Sequence, residues 1–376
     1  MVIPRTLHII CLNIPYPVDY GGMFDLFYKL PALHQQGVKI HLHCFQYGRS
    51  RQDELNKYCE TVSYYPRRKG LQTLSIKYPY IVGSRKNNKL TNRLLEDEHP
   101  ILMEGIHCTS ILSDKRFKNR HCYVRLHNVE FIYYRHLADF TTSFSKKIYY
   151  FLESRLLEKY EASITGKATF LPVTKKDGDV YRKIGCGNIA VIPLFLPDWK
   201  LNNIEGNGSF CLYHGDLGVA ENEKAALWLL ENIFANLDIP FVIAGKKPSK
   251  KLQKLAHTHN TVCLIADPGE AEMQDLIVKA HINIIPSYSS TGIKLKLINA
   301  LFNGRYCVVN EATVLESGLE EMCVVTPDAN TFKLIIEDLY NKPFDPETSK
   351  IRQRVLSAMF NNTENAKKLI SLIWKI

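Results

Sequence analysis

The stretch Ile284-Ile-Pro-Ser-Tyr-Ser-Ser-Thr-Gly-Ile-Lys-Leu-Lys-Leu-Ile-Asn-Ala-Leu-Phe-Asn-Gly-Arg-Tyr-Cys-Val-Val309 decides how the rest of the chain is read. A short apolar strand over 282–285 stops at Pro286 and gives way to a polar, glycine-containing turn. That turn opens a helix with Ile293, Leu295, Leu297, Ile298 and Leu301 as its apolar positions, Gly304 ends it, and a strand over 306–309 follows. A strand, a small polar turn and a helix N-terminus in that order make an anion site. The first helical N–H groups lack internal partners, and the helix dipole places partial positive charge beside them. Lys294 and Lys296 add formal charge at the same end. The plainer alternative is one more βα unit of a parallel sheet, with Ser and Thr hydroxyls merely capping the helix.

Working outward, 376 residues at 45% hydrophobic content can bury large cores, and the length suggests two domains. Ten cysteines are scattered without a C-x-x-C or a His/Cys cluster at metal spacing, which reads as small core residues of a reducing compartment. The N-terminus resembles a core strand rather than a secretion signal, and no window approaches a membrane span. A cytoplasmic protein is expected. Net charge is +10 but uneven: residues 1–197 hold 29 Lys and Arg against 17 Asp and Glu, and the remainder 19 against 21. The excess gathers at Arg67-Arg68-Lys69, Lys77, Arg85-Lys86, Lys89, Arg93 and over 115–120. Such asymmetry points to an acidic partner, either a membrane surface or a phosphate-bearing acceptor, or else to a solvated face with no partner. Nucleic acid ranks last, because no nucleic-acid-binding motif accompanies the charge.

Apolar runs alternate with helical patterns throughout. In the first half strands are expected over 7–12, 38–45, 101–104, 122–126, 168–173 and 189–192, with helices over 22–36, 89–95 and 145–167. The last helix should turn Tyr149, Leu152, Leu156, Leu157 and Tyr160 toward the core. Residues 193–208 carry prolines, glycines and asparagines and read as a linker. Beyond it, strands are expected over 209–213, 241–244, 261–265, 282–285, 306–309 and 323–326, with helices over 224–235, 331–340 and 364–376. Strands separated by helices imply βαβ crossovers and an α/β fold with parallel sheets. Ligands of such folds bind at the C-terminal ends of the strands.

Several pieces in order then carry a resemblance. They are Pro17-Val-Asp-Tyr-Gly-Gly22, Met103-Glu-Gly105, Arg125-Leu-His-Asn-Val-Glu130, Pro172-Val-Thr-Lys-Lys-Asp177, Val191-Ile-Pro193, Tyr213-His-Gly-Asp216, Ile243-Ala-Gly-Lys-Lys247 and the segment from Pro286 to Val309. The chain resembles a GT-B glycosyltransferase of the large retaining family four, of the kind that builds bacterial glycans. The match is weakest over 56–89. The resemblance implies two doubly wound Rossmann-like domains facing across a cleft. Residues 1–197 would bind the acceptor, 198–358 the nucleotide-sugar, and a helix in 359–376 would return to the first domain. It further implies donor contacts at Gly21, Gly22, Gly215, Asp216, Lys246, Lys247, Ser290, Thr291, Gly292, Lys294 and Asn299. His127 would contact the donor sugar and Glu104 would face the cleft, each with a structural alternative: a satisfied strand-end histidine and a helix cap. No metal or cofactor is implied, since backbone donors and lysines can stabilise the leaving diphosphate.

One departure stands out. The family usually carries two glutamates eight positions apart, and those positions here hold Thr291 and Asn299. A neutral amide can serve ribose hydroxyls but lacks the charge-assisted bonds of a carboxylate. The expected function is therefore retaining, metal-independent transfer of a hexose from a UDP- or GDP-sugar to a glycan or lipid-linked acceptor, peripheral to an anionic membrane surface. The rivals are a weak or inactive GT-B protein that binds a sugar nucleotide or a partner enzyme, and an enzyme of other reaction type, such as an epimerase, on the same fold.

Overall fold

A computed structural model describes residues 5–18, 21–70, 73, 75, 77–141, 143–288 and 292–375. The chain forms two compact units, one of residues 1–198 with 360–376 and one of residues 199–359. On this division the first unit holds 32 Lys and Arg against 19 Asp and Glu, a net of +13, and the second 16 against 19, a net of −3.

The first unit is built on six strands: β1 Thr6–Cys11, β2 Lys39–Gln46, β3 Thr61–Pro66, β4 Ile101–Glu104, β5 Cys122–Leu126 and β6 Thr169–Pro172. They pair in the order β3-β2-β1-β4-β5-β6, all parallel. The central strands β1, β4 and β5 are buried at every position, as expected of a sheet covered on both faces. The order reverses between β1 and β4, which is the switch point where such sheets leave a crevice. The second unit repeats the plan with β7 Cys211–Asp216, β8 Phe241–Lys246, β9 Val262–Ala266, β10 Ile282–Ile284, β11 Tyr306–Asn310 and β12 Val324–Thr326. Their order, β12-β11-β10-β7-β8-β9, is the same doubly wound topology with its switch between β7 and β10.

The last helix, Asn362–Trp374, sits in the first unit. Ala366, Leu369, Ile370 and Ile373 join Leu7, Ile9, Leu33 and Tyr123 in one apolar cluster, and the Tyr123 hydroxyl donates to the Ile373 carbonyl at 3.2 Å. Asn362 brackets Leu196, accepting from its N–H at 3.0 Å and donating to its carbonyl at 2.6 Å.

Three expectations are revised. Residues 193–208 are not one linker: Leu194, Phe195 and Leu196 are buried in the first unit, whereas Asn202 N–H bonds the Phe302 carbonyl in the second. Residues 189–192 fall short of a full strand but run parallel beside β6, where the Ala190 and Ile192 N–H groups donate to the Phe170 and Pro172 carbonyls at 3.0 and 3.1 Å. The long helix runs Phe144–Ile164 and buries Leu157 and Tyr160, but Tyr149 and Leu152 point to solvent. The sequence reading also missed β3 and the helices Glu130–Phe140, Lys250–Ala256, Glu270–Lys279 and Pro346–Met359.

Candidate functional site

At the C-terminal edge of the second sheet, β7, β8 and β10 end side by side. Gly215 pairs with Gly245 and Asp216 with Lys246. A Cβ on Gly245 would lie 1.9 Å from the Gly215 carbonyl oxygen, so only glycine lets the two strand ends approach this closely. Asp216 Oδ1 accepts from the Gly218 N–H at 3.0 Å, and its carbonyl accepts from the Asn222 amide at 3.0 Å. Asn222 Oδ1 in turn accepts from the Lys296 ammonium at 3.2 Å, which joins the β7 loop to the helix Leu295–Asn303. Glu221, in the first turn of the helix Ala220–Asn232, holds the end of β10 by accepting from Ser287 Oγ at 2.8 Å and the Tyr288 N–H at 3.0 Å.

The helix after β10 begins two residues later than the apolar pattern suggests. Lys294 is its N-cap, in extended conformation, and the first internal bonds run from the Leu297 and Ile298 N–H groups to the Lys294 carbonyl. The N–H groups of Leu295 and Lys296 therefore precede the first internal bond, at the positive end of the dipole. Gly292 has φ +63°, the left-handed region that suits glycine. Ser290 and Thr291 lie outside the described residues.

Lys296 is the electrostatic centre of this edge. Its stem crosses the Tyr213 ring, with the ammonium 5.0 Å from the ring centroid. Burial lowers its amine from the ordinary 10.5 to about 8, with Lys294 pushing the same way and Glu221 opposing. Beside it His214, on β7, is 5% exposed, and among the described residues its Nε2 has no hydrogen-bond partner. Burial, helped by Lys296, brings this imidazole down to about 3, so it is neutral at physiological pH. Neither residue was assigned a donor contact from sequence. The Lys294/Lys296 spacing was a visible signal for the first; His214 had only its place before Gly215.

Lys246 and Lys247 are exposed at the end of β8, and the Lys247 N–H donates to Asp267 Oδ1 at 3.0 Å. Asn299 is held from two sides. Its amide donates to Gln274 Oε1 at 3.2 Å, and its Oδ1 accepts from Asn303 at 2.8 Å.

The first unit gathers a different set at the C-terminal ends of β4 and β5. Arg125 grips Asp25 with two parallel bonds of 2.8 and 2.9 Å, and donates to the Leu171, Ile192 and Pro193 carbonyls. Asp25 also accepts from the Phe195 N–H at 2.9 Å. Lys29, one turn along the Gly21–Gln35 helix, reaches Asp25 at 3.0 Å and Glu104 at 2.5 Å. His127 Nε2 lies 3.1 Å from Glu104 Oε2, while its Nδ1 is 3.8 Å from Asp25. Burial alone would raise both carboxyls, but Arg125 and Lys29 hold Asp25 well below the usual range, and Lys29 and His127 lower Glu104. Two carboxylates thus meet two cations at net neutrality.

This corrects the expectation for Glu104. Its side chain is wholly buried and ion-paired, so it neither opens to a substrate nor caps a helix. His127, partly exposed, is the member that can meet a ligand. Asp25, Glu104 and His127 offer ligand atoms within 4.8 Å of one another, but the donor set does not suit a metal. A dication would have to displace Lys29 and Arg125 from the same oxygens. Gly21 and Gly22 start the neighbouring helix, directly after residues outside the description. The sequence reading missed Asp25, Lys29 and Arg125, whose only signal was charge set within apolar neighbours.

Comparison with known proteins agrees with this geometry. Residues 209–342 match the family "Glycosyl transferases group 1". A Klebsiella pneumoniae protein described as an "uncharacterized 44.6 kDa protein in cps region" is 26% identical over 392 residues, covering 98% of each chain. Among solved structures, TarM superposes with a TM-score of 0.66 at 9% identity, covering 99% of both chains. Anabaena Alr3699/HepE, solved with UDP and glucose, gives 0.64 at 11% identity over 98% of this chain and all of that one. The chain has the two-domain GT-B fold, and residues 209–342 of its second unit match the group 1 glycosyltransferases.

Proposed function

We propose that this enzyme transfers a hexose from a UDP- or GDP-sugar to a glycan or lipid-linked acceptor during polysaccharide assembly, with retention and without a metal, at the cytoplasmic face of a membrane. The observation that carries the donor side is the convergence of Lys294, Lys296 and the Leu295 and Lys296 N–H groups at one helix start, within the family-matched segment. A departing nucleoside diphosphate gains negative charge on its β-phosphate. Fixed N–H dipoles and two ammonium groups stabilise that charge without reorganising. Binding of the diphosphate also relieves the burial cost of Lys296 by giving its ammonium a counter-charge. His127, oriented by Glu104, would contact the donor sugar, and Glu104 acts as its positioning residue. The cps-region relative supports the polysaccharide setting.

A second reading, a sugar-nucleotide-binding protein with weak or no turnover, is favoured by Asn299, whose amide is already engaged by Gln274 and Asn303. One experiment addresses both. UDP, GDP and their hexose derivatives are titrated calorimetrically, and release of the nucleoside diphosphate is followed with lipid-linked glycan acceptors present. Micromolar binding of one base with acceptor-dependent release supports the enzyme, and binding without release supports the second reading. Failure of both bases to bind removes the donor assignment.

A further inference from the structure

The helix Phe144–Ile164 is apolar on two opposite faces. One face, with Leu157, Tyr160 and Ile164, is buried in the first unit's core. On the other, Phe144, Ile148, Phe151 and Leu152 fall at spacings of four, three and one, so at 100° per residue they span about 100° of arc. All four are exposed, Phe144 by 78% and Leu152 by 60%. Arg155 continues the same stripe with its guanidinium 5.6 Å from the Phe151 ring, and Lys146 and Lys147 are exposed in the first turn. Between residues 143 and 157 the one acid is Glu153, which is buried and accepts from the Tyr80 N–H at 2.5 Å. A helix that needed only solvent on this side would carry polar residues there.

We infer that this stripe is a membrane-docking face, lying in the headgroup region of an anionic bilayer with Phe144, Ile148, Phe151 and Leu152 inserted and Lys147 and Arg155 against lipid phosphates. Charge selects this occupant. Lys147 and Arg155 flank the stripe on a unit of net charge +13, and the nearest acid, Glu158, is taken up 3.7 Å from Arg155 and 3.9 Å from Arg135, so a second copy docked about a two-fold axis would bring two strongly positive units together. The stripe from Phe144 to Arg155 extends about 17 Å, which suits a helix lying in the interface plane. Among the described residues no helix is long and apolar enough to cross a membrane. The inference rests on the proposed lipid-linked acceptor and gives that acceptor's bilayer a place to bind. It also moves the membrane contact away from Arg85, which is 3% exposed and donates to the Leu12 and Ile81 carbonyls, with burial bringing it down to about 10.

The test is flotation of the full chain with vesicles of neutral phosphatidylcholine, and of phosphatidylcholine with phosphatidylglycerol, at low and high salt. Two variants accompany it, the quadruple Phe144→Ser, Ile148→Ser, Phe151→Ser, Leu152→Ser and the double Lys147→Glu, Arg155→Glu. All six positions are exposed, and folding is checked by the thermal midpoint. The wild type should prefer anionic vesicles, and each variant should lose about tenfold or more in partitioning. Should the quadruple variant be misfolded, the double variant and single Phe144→Ser carry the test. Wild-type partitioning matched by folded variants overturns the docking face. So does a wild-type dimer that the quadruple variant dissolves, in the absence of vesicle binding. Vesicle binding needs no nucleotide, so its failure leaves the calorimetric donor result standing, and failure of donor binding leaves the vesicle result standing.

Discussion

Lys296 should cost the empty enzyme stability and return it as ligand affinity. Replacing it with Met keeps the stem over the Tyr213 ring while removing the charge and the bond to Asn222 Oδ1. The folded amine sits at about 8 against 10.5 when unfolded, which at face value destabilises the fold by about 3 kcal/mol at neutral pH. The side chain is partly exposed, so solvent screening reduces this to about 1–2 kcal/mol. Loss of the cation–π contact takes back about 0.5–1 kcal/mol. The sign follows from proton uptake. The unfolded chain holds this proton up to pH 10.5 and the folded chain only to about 8, so the penalty is complete below pH 8 and disappears as pH rises through that window. Lys296→Met should therefore be as stable as wild type or up to about 1 kcal/mol more stable at pH 7, and lose that relative advantage by pH 10. Its affinity for the nucleoside diphosphate should fall by about tenfold or more, the loss of one charge-assisted contact. The assay is urea unfolding of both proteins at pH 7, 8.5 and 10, with calorimetric titration of UDP and GDP at pH 7. A variant clearly less stable at every pH, with an unchanged gap, would refute the buried-cation argument. Unchanged nucleotide affinity would remove Lys296 from the donor site.

Three further outcomes are expected. Lys294→Ala should weaken nucleoside diphosphate binding by about 1.5–3 kcal/mol, measured by calorimetry, because it removes a cation at the helix start. Asn299→Glu should tighten the same binding by about 1 kcal/mol if the ribose lies there, since the carboxylate still accepts from Asn303 and a flipped Gln274 amide can donate to it; weaker binding by a well-folded variant would place the ribose elsewhere. Acid should destabilise the first unit through His8 and His43, both wholly buried, which burial brings from 6.5 to about 4 and about 3. The unfolded chain protonates them as pH falls through 6.5 and the folded chain does not, so stability drops from pH 6.5 toward 4 by about 3 kcal/mol for His8 alone. Urea midpoints at pH 7 and pH 5 check the loss, and imidazole resonances that titrate near 6.5 in the folded protein would contradict it.

The histidine pair also shows how tertiary contact assigns chemistry. Asp97 accepts from His8 Nε2 at 2.9 Å, which leaves His8 Nδ1 to accept from His43 Nε2 at 2.8 Å and His43 Nδ1 to accept from the Tyr65 hydroxyl at 3.1 Å. Nothing in the spacing of residues 8, 43, 65 and 97 announces that chain.

By itself the sequence determined what is local and periodic. Strand and helix alternation follows from side-chain period, so the βα succession was legible, and with it the close of the Leu295–Asn303 helix at Gly304. Even the helix start was misplaced by only two residues, because a cap depends on backbone dihedrals rather than on the apolar pattern. The tertiary structure alone decided which faces and charges are covered. Tyr149 and Leu152 carry the same helical periodicity as Leu157 and Tyr160, yet only the second pair meets the core. Asp25, Lys29, Glu104 and Arg125 look like surface charges until β4, β5, the first helix and the 192–195 segment close around them, and Arg85 was read as part of a surface patch although it is buried. A charge is tolerated inside only when its partners arrive from distant parts of the chain, and no local window of sequence contains those partners.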